Sequence, residues 1–457
     1  MPTGTGKTKT TIEAVISWFQ TLTASSKRAT IFWMAHSDEL CEQAIEQITE
    51  LYEGKRHNHS LHLFRMWSSY TSKNIENKIC EEIMGSVFMV EDGCSIVVTN
   101  PTNLLKIFAL KDEFGWVHEM LRQSEVALII DEAHRGLATT YKNAIEGLFA
   151  INPKSRLIGL TATPKRCSGT PNEQEQSAKL IELFGGQNRI IDPFQTSEQL
   201  LDYQVYDKFD KIFKTWADWE SLPSDTVAKA YLVYRGILAK PRFVTVKTNF
   251  KLFMNDKVLH DFAKMEDLGP EDQEMLLEEI GERLDHYARR EMVAGVVRQR
   301  ASLRDGEQVL YFGPTVNDAE AMTWELRRRG IRASAIHGKV PTIIRRETIA
   351  GFKNEKIQAL CNCNLLTTGF DHPKIRHLFV ARPTFSTVLY EQMIGRALRG
   401  KEFGGTDECF IYNCVDEIIP GLVGLQFAWN KVEKAWDLAL QLINEYSNYE
   451  TENKVAA

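Results

Sequence analysis

Gly4, Thr5, Gly6, Lys7 and Thr8 stand together in the opening segment MPTGTGKTKT. Glycines at this spacing let successive backbone N–H groups turn inward around phosphate oxygens. The lysine adds a positive point charge, and the threonine hydroxyl can ligate magnesium. A helix running on from Thr8 would aim its N-terminus at the same anion. Met1 stands where the leading glycine of such a loop is usual.

A second constellation, IIDEAHRG at 129–136, sets two adjacent carboxylates at the end of an apolar run. Asp131, exposed at a strand end, can hold magnesium through water, while Glu132 points differently and can take a proton from an attacking water. ATP and Mg2+ are the cofactors this chemistry calls for. His134 and Arg135 have two readings: structural hydrogen bonds, or coupling of the nucleotide state to other segments.

Such groups need rigid carriers, and the flanking sequence supplies them. The first 190 residues alternate helical patterns with the apolar runs ATIFWM (29–34), SIVVTN (95–100), VALIID (126–131) and RLIGLTA (156–162). Runs of this kind suit parallel strands covered on both faces. Ser37 or Asp38 is placed to cap a helix whose Leu40, Ala44, Ile45 and Ile48 recur at helical spacing. A second set comprises QVLYFG (308–313), IRASAIHG (331–338), IQALCNCNLL (357–366), IRHLFVA (375–381) and CFIYNCVD (409–416). An α/β fold follows, with domains at 1–190 and 301–457 joined by a partly helical connecting region at 191–300. In that region Leu277, Ile280, Leu284 and Tyr287 share a helical face, and further on Trp429, Val432, Trp436, Leu440 and Ile443 describe a terminal helix packed on the second domain.

Composition narrows the partners. The 457 residues, 43% of them hydrophobic and 25% charged, describe a folded chain of more than one domain rather than a disordered or fibrous one. Lys plus Arg number 55 and Asp plus Glu 61, so the formal charge of -6 excludes strong global attraction to polyanions and leaves room for a local basic groove. The eight cysteines show no facing CxxC pairs at zinc-site spacing, and Cys361 and Cys363 read as strand packing, which fits a reduced, cytoplasmic chain. No apolar run approaches membrane-spanning length, and Glu13 interrupts the one stretch that imitates a secretory leader.

With these motifs in place, the chain resembles superfamily 2 helicases and translocases of the DEAH-containing group related to type III restriction subunits. The likeness runs from MPTGTGKT and DEAH through LTATP (160–164), AIHG (335–338) and LLTTGFD (365–371) to EQMIGRALRG (391–400). It implies two RecA-like domains facing each other, ATP at their cleft and nucleic acid crossing both. Carried over by position, Thr161 and Thr163, with His134, would couple the ATP site to the nucleic-acid site. Gly369 and Asp371 would contact the nucleotide from the second domain. Gln392, Arg396 and Arg399 match a QxxGRxxR element. On one helix they would lie four and three apart, so the arginines could neutralise the transferring γ-phosphoryl group while Gln392 positions water or phosphate. Thr99, Thr367 and Thr368 would touch backbone phosphate without reading bases. His36, Tyr234 and Arg235 are weaker candidates for the same groove, and Arg327, Arg328 and Arg329, which end a helix before Gly330, read rather as a solvated helix end.

The resemblance also exposes a departure. Related chains carry a strand directly before the phosphate loop, whereas here the loop opens at Met1, so the first domain is expected to lack that strand. A truncated gene product, a misassigned start or a strand supplied by another chain are the expectations. The function implied is nucleic-acid-stimulated ATP hydrolysis driving DNA unwinding or translocation. The alternatives are a motor subunit of a restriction or phage-defence complex that leaves strands unseparated, an RNA helicase, or an ATP-dependent scaffold. DNA is the expected partner, RNA the alternative, and a partner subunit could supply a nuclease or the N-terminal element.

Overall fold

The apolar runs become two parallel sheets in a computed structural model of the chain. It describes residues 6–23, 28–53, 61–67, 94–109, 115–161, 171–186, 223–252, 258, 270–301, 307–367, 369–384, 386–418 and 427–456. Described residues up to 186 form one compact unit, and those from 223 onward another.

The first unit runs α1 (Lys7–Thr23), β1 (Ala29–Met34), α2 (Asp38–Glu53), β2 (Leu61–Met66), β3 (Cys94–Thr99), α3 (Pro101–Ala109), α4 (Gly115–Gln123), β4 (Glu125–Asp131), α5 (Thr139–Ile151), β5 (Arg156–Leu160) and α6 (Pro171–Leu183). The strands order as β2-β3-β1-β4-β5, all parallel. Residues two apart on a strand share a face. Ile31, Trp33, Ile96, Val98, Ala127 and Ile129 accordingly pack with α1 and α2, and Phe32, Met34, Val97, Val126, Leu128 and Ile130 with α3, α4 and α5. The expected helix after β1 forms with Ser37 as its cap, the hydroxyl accepting the Leu40 N–H at 3.3 Å. Strands β1 and β3 are buried throughout, whereas β5 is an edge strand whose Ile158 is 38% exposed.

The second unit runs α7 (Ser224–Tyr234), β6 (Lys240–Leu252), α8 (Pro270–Leu284), α9 (Tyr287–Ala301), β7 (Gln308–Phe312), α10 (Val316–Arg328), β8 (Ala333–Ile336), α11 (Thr342–Lys353), β9 (Ala359–Asn362), β10 (Ile375–Val380), α12 (Thr387–Ile394), β11 (Glu408–Ile418) and α13 (Phe427–Ala456). Its sheet orders as β6-β11-β10-β7-β9-β8, again parallel. Helices α7, α12 and α13 cover one face, and α9 and α10 the other. The terminal helix buries Trp429, Val432, Trp436 and Ile443 as its spacing predicts.

One expectation is corrected here. The described parts of 191–300 are no separate connecting module, because β6 pairs along β11 and α9 packs Val293, Ala294 and Val297 on the second sheet. Arg289 of α9, wholly buried, locks this in place by donating to both carboxylate oxygens of Asp416 (2.7 and 3.0 Å) and to the Ala381 carbonyl (2.7 Å). The sequence KPRFVTVKTNFKL hides β6 because it is an edge strand, where lysines and an early proline interrupt the apolar run. Tyr287, expected on the face of Ile280 and Leu284, instead opens α9 and is exposed. Among the described residues no helix is long and apolar enough to cross a membrane.

Candidate active site

Helix α1 forms because Ile12, Val15, Ile16, Phe19 and Leu22 make one apolar face against the sheet. It starts at Lys7 directly after Gly6, which holds φ +84°, a left-handed conformation that side chains other than hydrogen resist. The Thr10 N–H reaches the Gly6 carbonyl at 2.9 Å and so opens the hydrogen-bond ladder of the helix at this glycine. The first turn carries no acidic residue, and Lys7 and Thr8 are both half-buried there. Gly4 and Thr5 lie outside the described residues.

The direction of α1 follows from its packing. The Arg156 guanidinium, which opens β5, sits 4.8 Å from the ring centre of Trp18 in the second half of α1, and α1 ends at Thr23 only shortly before β1 opens at Ala29. Helix and strand therefore run antiparallel, and the Lys7 end lies toward the carboxyl ends of the strands, where Asp131 and Glu132 emerge from β4.

There the turn is unusual. Glu132 has φ 54° and ψ 53°, left-handed for a residue with a side chain, and its N–H donates to Asp131 Oδ1 at 3.0 Å. Its Oε2 lies 3.3 Å from Nδ1 of His134. Gly159 of β5 permits this turn to press close, since a Cβ there would come within 2.6 Å of the Phe184 ring and 2.8 Å of Ala133. Asp131 pairs in register with Leu160, so Thr161 follows as the next position beside Glu132. Thr163 lies outside the described residues. The β1–β4 register, Met34 with Ile130, likewise brings His36 level with Glu132. Burial, then the Arg135 charge, lowers the His36 pKa to about 4 against the pull of Glu132, so this histidine is neutral.

The second unit gathers the other predicted charges. Arg399 donates from Nε to Asp371 Oδ1 at 2.7 Å. Burial would raise the pKa of Asp371, but the charge and hydrogen bond of Arg399, with Arg396 and Lys353, hold it below the ordinary carboxylate value. Gly369, at φ +67°, turns the chain into this position. The single helix expected to carry Gln392, Arg396 and Arg399 is corrected: α12 stops at Ile394, and Arg399 lies beyond it in a bridge to Leu238. Gln392 is buried, and Arg396, 9% exposed, donates to the carbonyls of Phe370 (2.5 Å) and Gln392 (3.2 Å). Arg396 is thus an internal strut bracing the segment that carries Asp371.

The hydroxyls expected to meet backbone phosphate need correction as well. Thr99 is fully buried, its hydroxyl donating to the Asn100 carbonyl at 3.3 Å and its own carbonyl taking the Ala35 N–H at 3.0 Å. A strand end buried between two helices has no surface to offer; Thr102, in the first turn of α3, is the exposed hydroxyl of this corner. Thr367 is also buried and donates to the Asn364 carbonyl at 2.7 Å, and Thr368 lies outside the described residues. Tyr234 is exposed, while Arg235 donates to the Tyr231 hydroxyl at 2.8 Å. The arginine triplet is engaged locally: Arg327 with the Ala333 carbonyl, Arg328 over the Trp324 ring and Arg329 with Glu325. Sequence reasoning missed Tyr141, whose neighbourhood to the DEAH turn comes only from the packing of α5.

Residues 1–166 match the family model described as type III restriction enzyme, res subunit, and residues 290–401 match that of the helicase conserved C-terminal domain. The irc3 protein of Schizosaccharomyces pombe, named as a mitochondrial ATP-dependent helicase, is 26% identical over 424 residues, 92% of this chain and 53% of that protein. A 51.5 kDa protein of a Lactococcus phage (isolate 7-9) is 23% identical over 303 residues, 66% of this chain and 51% of that protein. The chain spans about half the length of these two relatives. Among solved structures, the ATP-dependent Type ISP restriction-modification enzyme LlaBIII bound to DNA aligns with 97% of this chain and 28% of its own at a TM-score of 0.55 and 15% identity, a likeness of fold.

Proposed function

Because the chain belongs to the superfamily 2 helicase group related to type III restriction subunits, we propose that it hydrolyses ATP and uses the cycle to move along DNA. The observation that carries this reading is the first unit's own construction: the N-terminus of α1, with Gly6, Lys7 and Thr8, is directed to the strand ends that present Asp131 and Glu132. Backbone N–H groups and Lys7 hold the triphosphate, and Glu132 accepts the proton of the attacking water. In the second unit, Arg399 is the side chain whose charge suits a transferring phosphoryl group, an arginine role worth about 10³ to 10⁵ in rate.

Thr8 and Asp131 fit a magnesium ion, which would draw charge from the phosphate oxygens. Among the described residues no group of three or more His, Cys, Asp or Glu forms a metal cage. That suits an ion held chiefly by phosphate and water with one or two protein oxygens.

The test is ATP turnover with and without duplex DNA in the full chain, beside Lys7→Ala and Glu132→Gln. We expect DNA to stimulate the parent protein, and Glu132→Gln to lose about 10²- to 10⁴-fold, the usual worth of a positioned general base. Equal turnover in all three proteins would overturn the assignment. Strand displacement measured beside triplex displacement separates unwinding from translocation, and competition with matched RNA duplexes separates the two nucleic acids.

A further inference from the structure

Tyr141 is the third residue of α5, and it is 5% exposed on the apolar face shared by Ala133, Ala144 and Ile145. Its hydroxyl has no hydrogen-bond partner among the described residues. A buried hydroxyl left in this condition is destabilising, and phenylalanine would fill the same volume without that penalty. Packing alone therefore does not account for a tyrosine here.

Its surroundings suggest what the hydroxyl is for. It lies within electrostatic reach of Arg135, Asp131, Cys41 and Glu132, the groups that crowd the carboxyl end of β4. Burial, the leading influence, raises its pKa, so the group is a neutral donor at any working pH. Close by stands a second costly feature, the left-handed backbone of Glu132. An unpaired donor and a strained acceptor-bearing turn adjoin, and one movement can relieve both.

We propose that Tyr141 is a positioning residue for Glu132: its hydroxyl donates to the carboxylate turn when that turn leaves the arrangement described above, and so fixes the orientation in which Glu132 meets the attacking water. This rests on the hydrolysis site assigned to Lys7 and Glu132. The turn thus has two arrangements, one with the carboxylate toward His134 and one with it toward Tyr141.

The experiment is Tyr141→Phe in the full chain, assayed with the parent protein, Lys7→Ala and Glu132→Gln. We expect the kcat for DNA-stimulated turnover to fall about tenfold, the rate equivalent of one hydrogen bond to a charged group, with KM for ATP unchanged. The melting temperature without nucleotide should hold or rise, because the resting hydroxyl has no partner to lose, whereas the rise induced by ADP–beryllium fluoride should shrink. A kcat within twofold of the parent protein, or a lowered melting temperature in the nucleotide-free chain, would overturn the proposal. If Lys7→Ala and Glu132→Gln turn over as fast as the parent, the site assignment itself falls and takes this inference with it. If those two are inactive and Tyr141→Phe is not impaired, only the role of Tyr141 fails.

Discussion

His372 follows Asp371 and anchors it from behind. Its Nε2 lies 2.5 Å from Gln308 Oε1, and Gln308 in turn donates to the carbonyls of Phe352 (2.6 Å) and Ile357 (3.2 Å). Burial, reinforced by Lys353 and Lys374, lowers the pKa of His372 to about 4 from 6.5. Below pH 6.5 the unfolded chain takes up a proton that the folded chain refuses. The stability tied to this group is therefore complete above pH 6.5 and is lost as the pH falls toward 4. Urea midpoints of the second unit should decline across that window by on the order of 1–3 kcal/mol, and His372→Gln should flatten the slope. An identical decline in the variant would place the acid lability elsewhere. The residues legible without a structure were those whose chemistry is local: Lys7, Thr8, Asp131 and Glu132 stand at the ends of elements, although Asp131, expected exposed, is buried at 8% exposure. The burial of Thr99, Thr367, Gln392 and Arg396 was not legible, because a side chain's access to solvent depends on neighbours distant in sequence.

Helix α12 leads into Arg396 and Arg399, and a buried cation holds it. Lys229 of α7 bonds Asp225 at 2.5 Å and Glu391 of α12 at 3.1 Å, with Nζ 5.4 Å from the ring centre of Trp436 in α13. Burial would lower the pKa of Lys229, but the two carboxylates outweigh it and keep the ammonium charged. Removing the cation leaves Glu391, 24% exposed, poorly solvated, while Asp225, 52% exposed, keeps its water. Lys229→Ala should therefore destabilise the second unit by about 1–3 kcal/mol, and Lys229→Met combined with Glu391→Leu should recover most of the loss. Equilibrium urea unfolding reads both, and a single variant as stable as the parent would exclude the clamp. Strands β1, β4, β7 and β10 were legible as apolar runs since both their faces are covered. β2 and β6 were not, because edge strands mix polar and apolar side chains in one short run.

Each unit has its own sheet and its own apolar clusters, so unfolding of the full chain should not be two-state. Calorimetry should resolve two transitions. Saturating ADP with magnesium, bound at the α1 loop, should raise that of the first unit by about 2.7 kcal/mol at a hundredfold excess over Kd. One transition insensitive to nucleotide would contradict both the independence of the cores and the placement of the site. Local chemistry and periodicity were enough to single out the GTGKT segment, the adjacent carboxylates, the α/β alternation and the presence of two sheets, because short motifs and helical or strand repeats are properties of adjacent residues. Folding settled the rest: that β6 and α9 join the second sheet, that Arg399 rests on Asp371 28 positions away, that Arg289 reaches Asp416 127 positions on, and that Tyr141 shares an apolar cluster with Ala133, next to Glu132. Such pairings depend on which strands become neighbours and which faces are covered, and no short window of sequence contains that information.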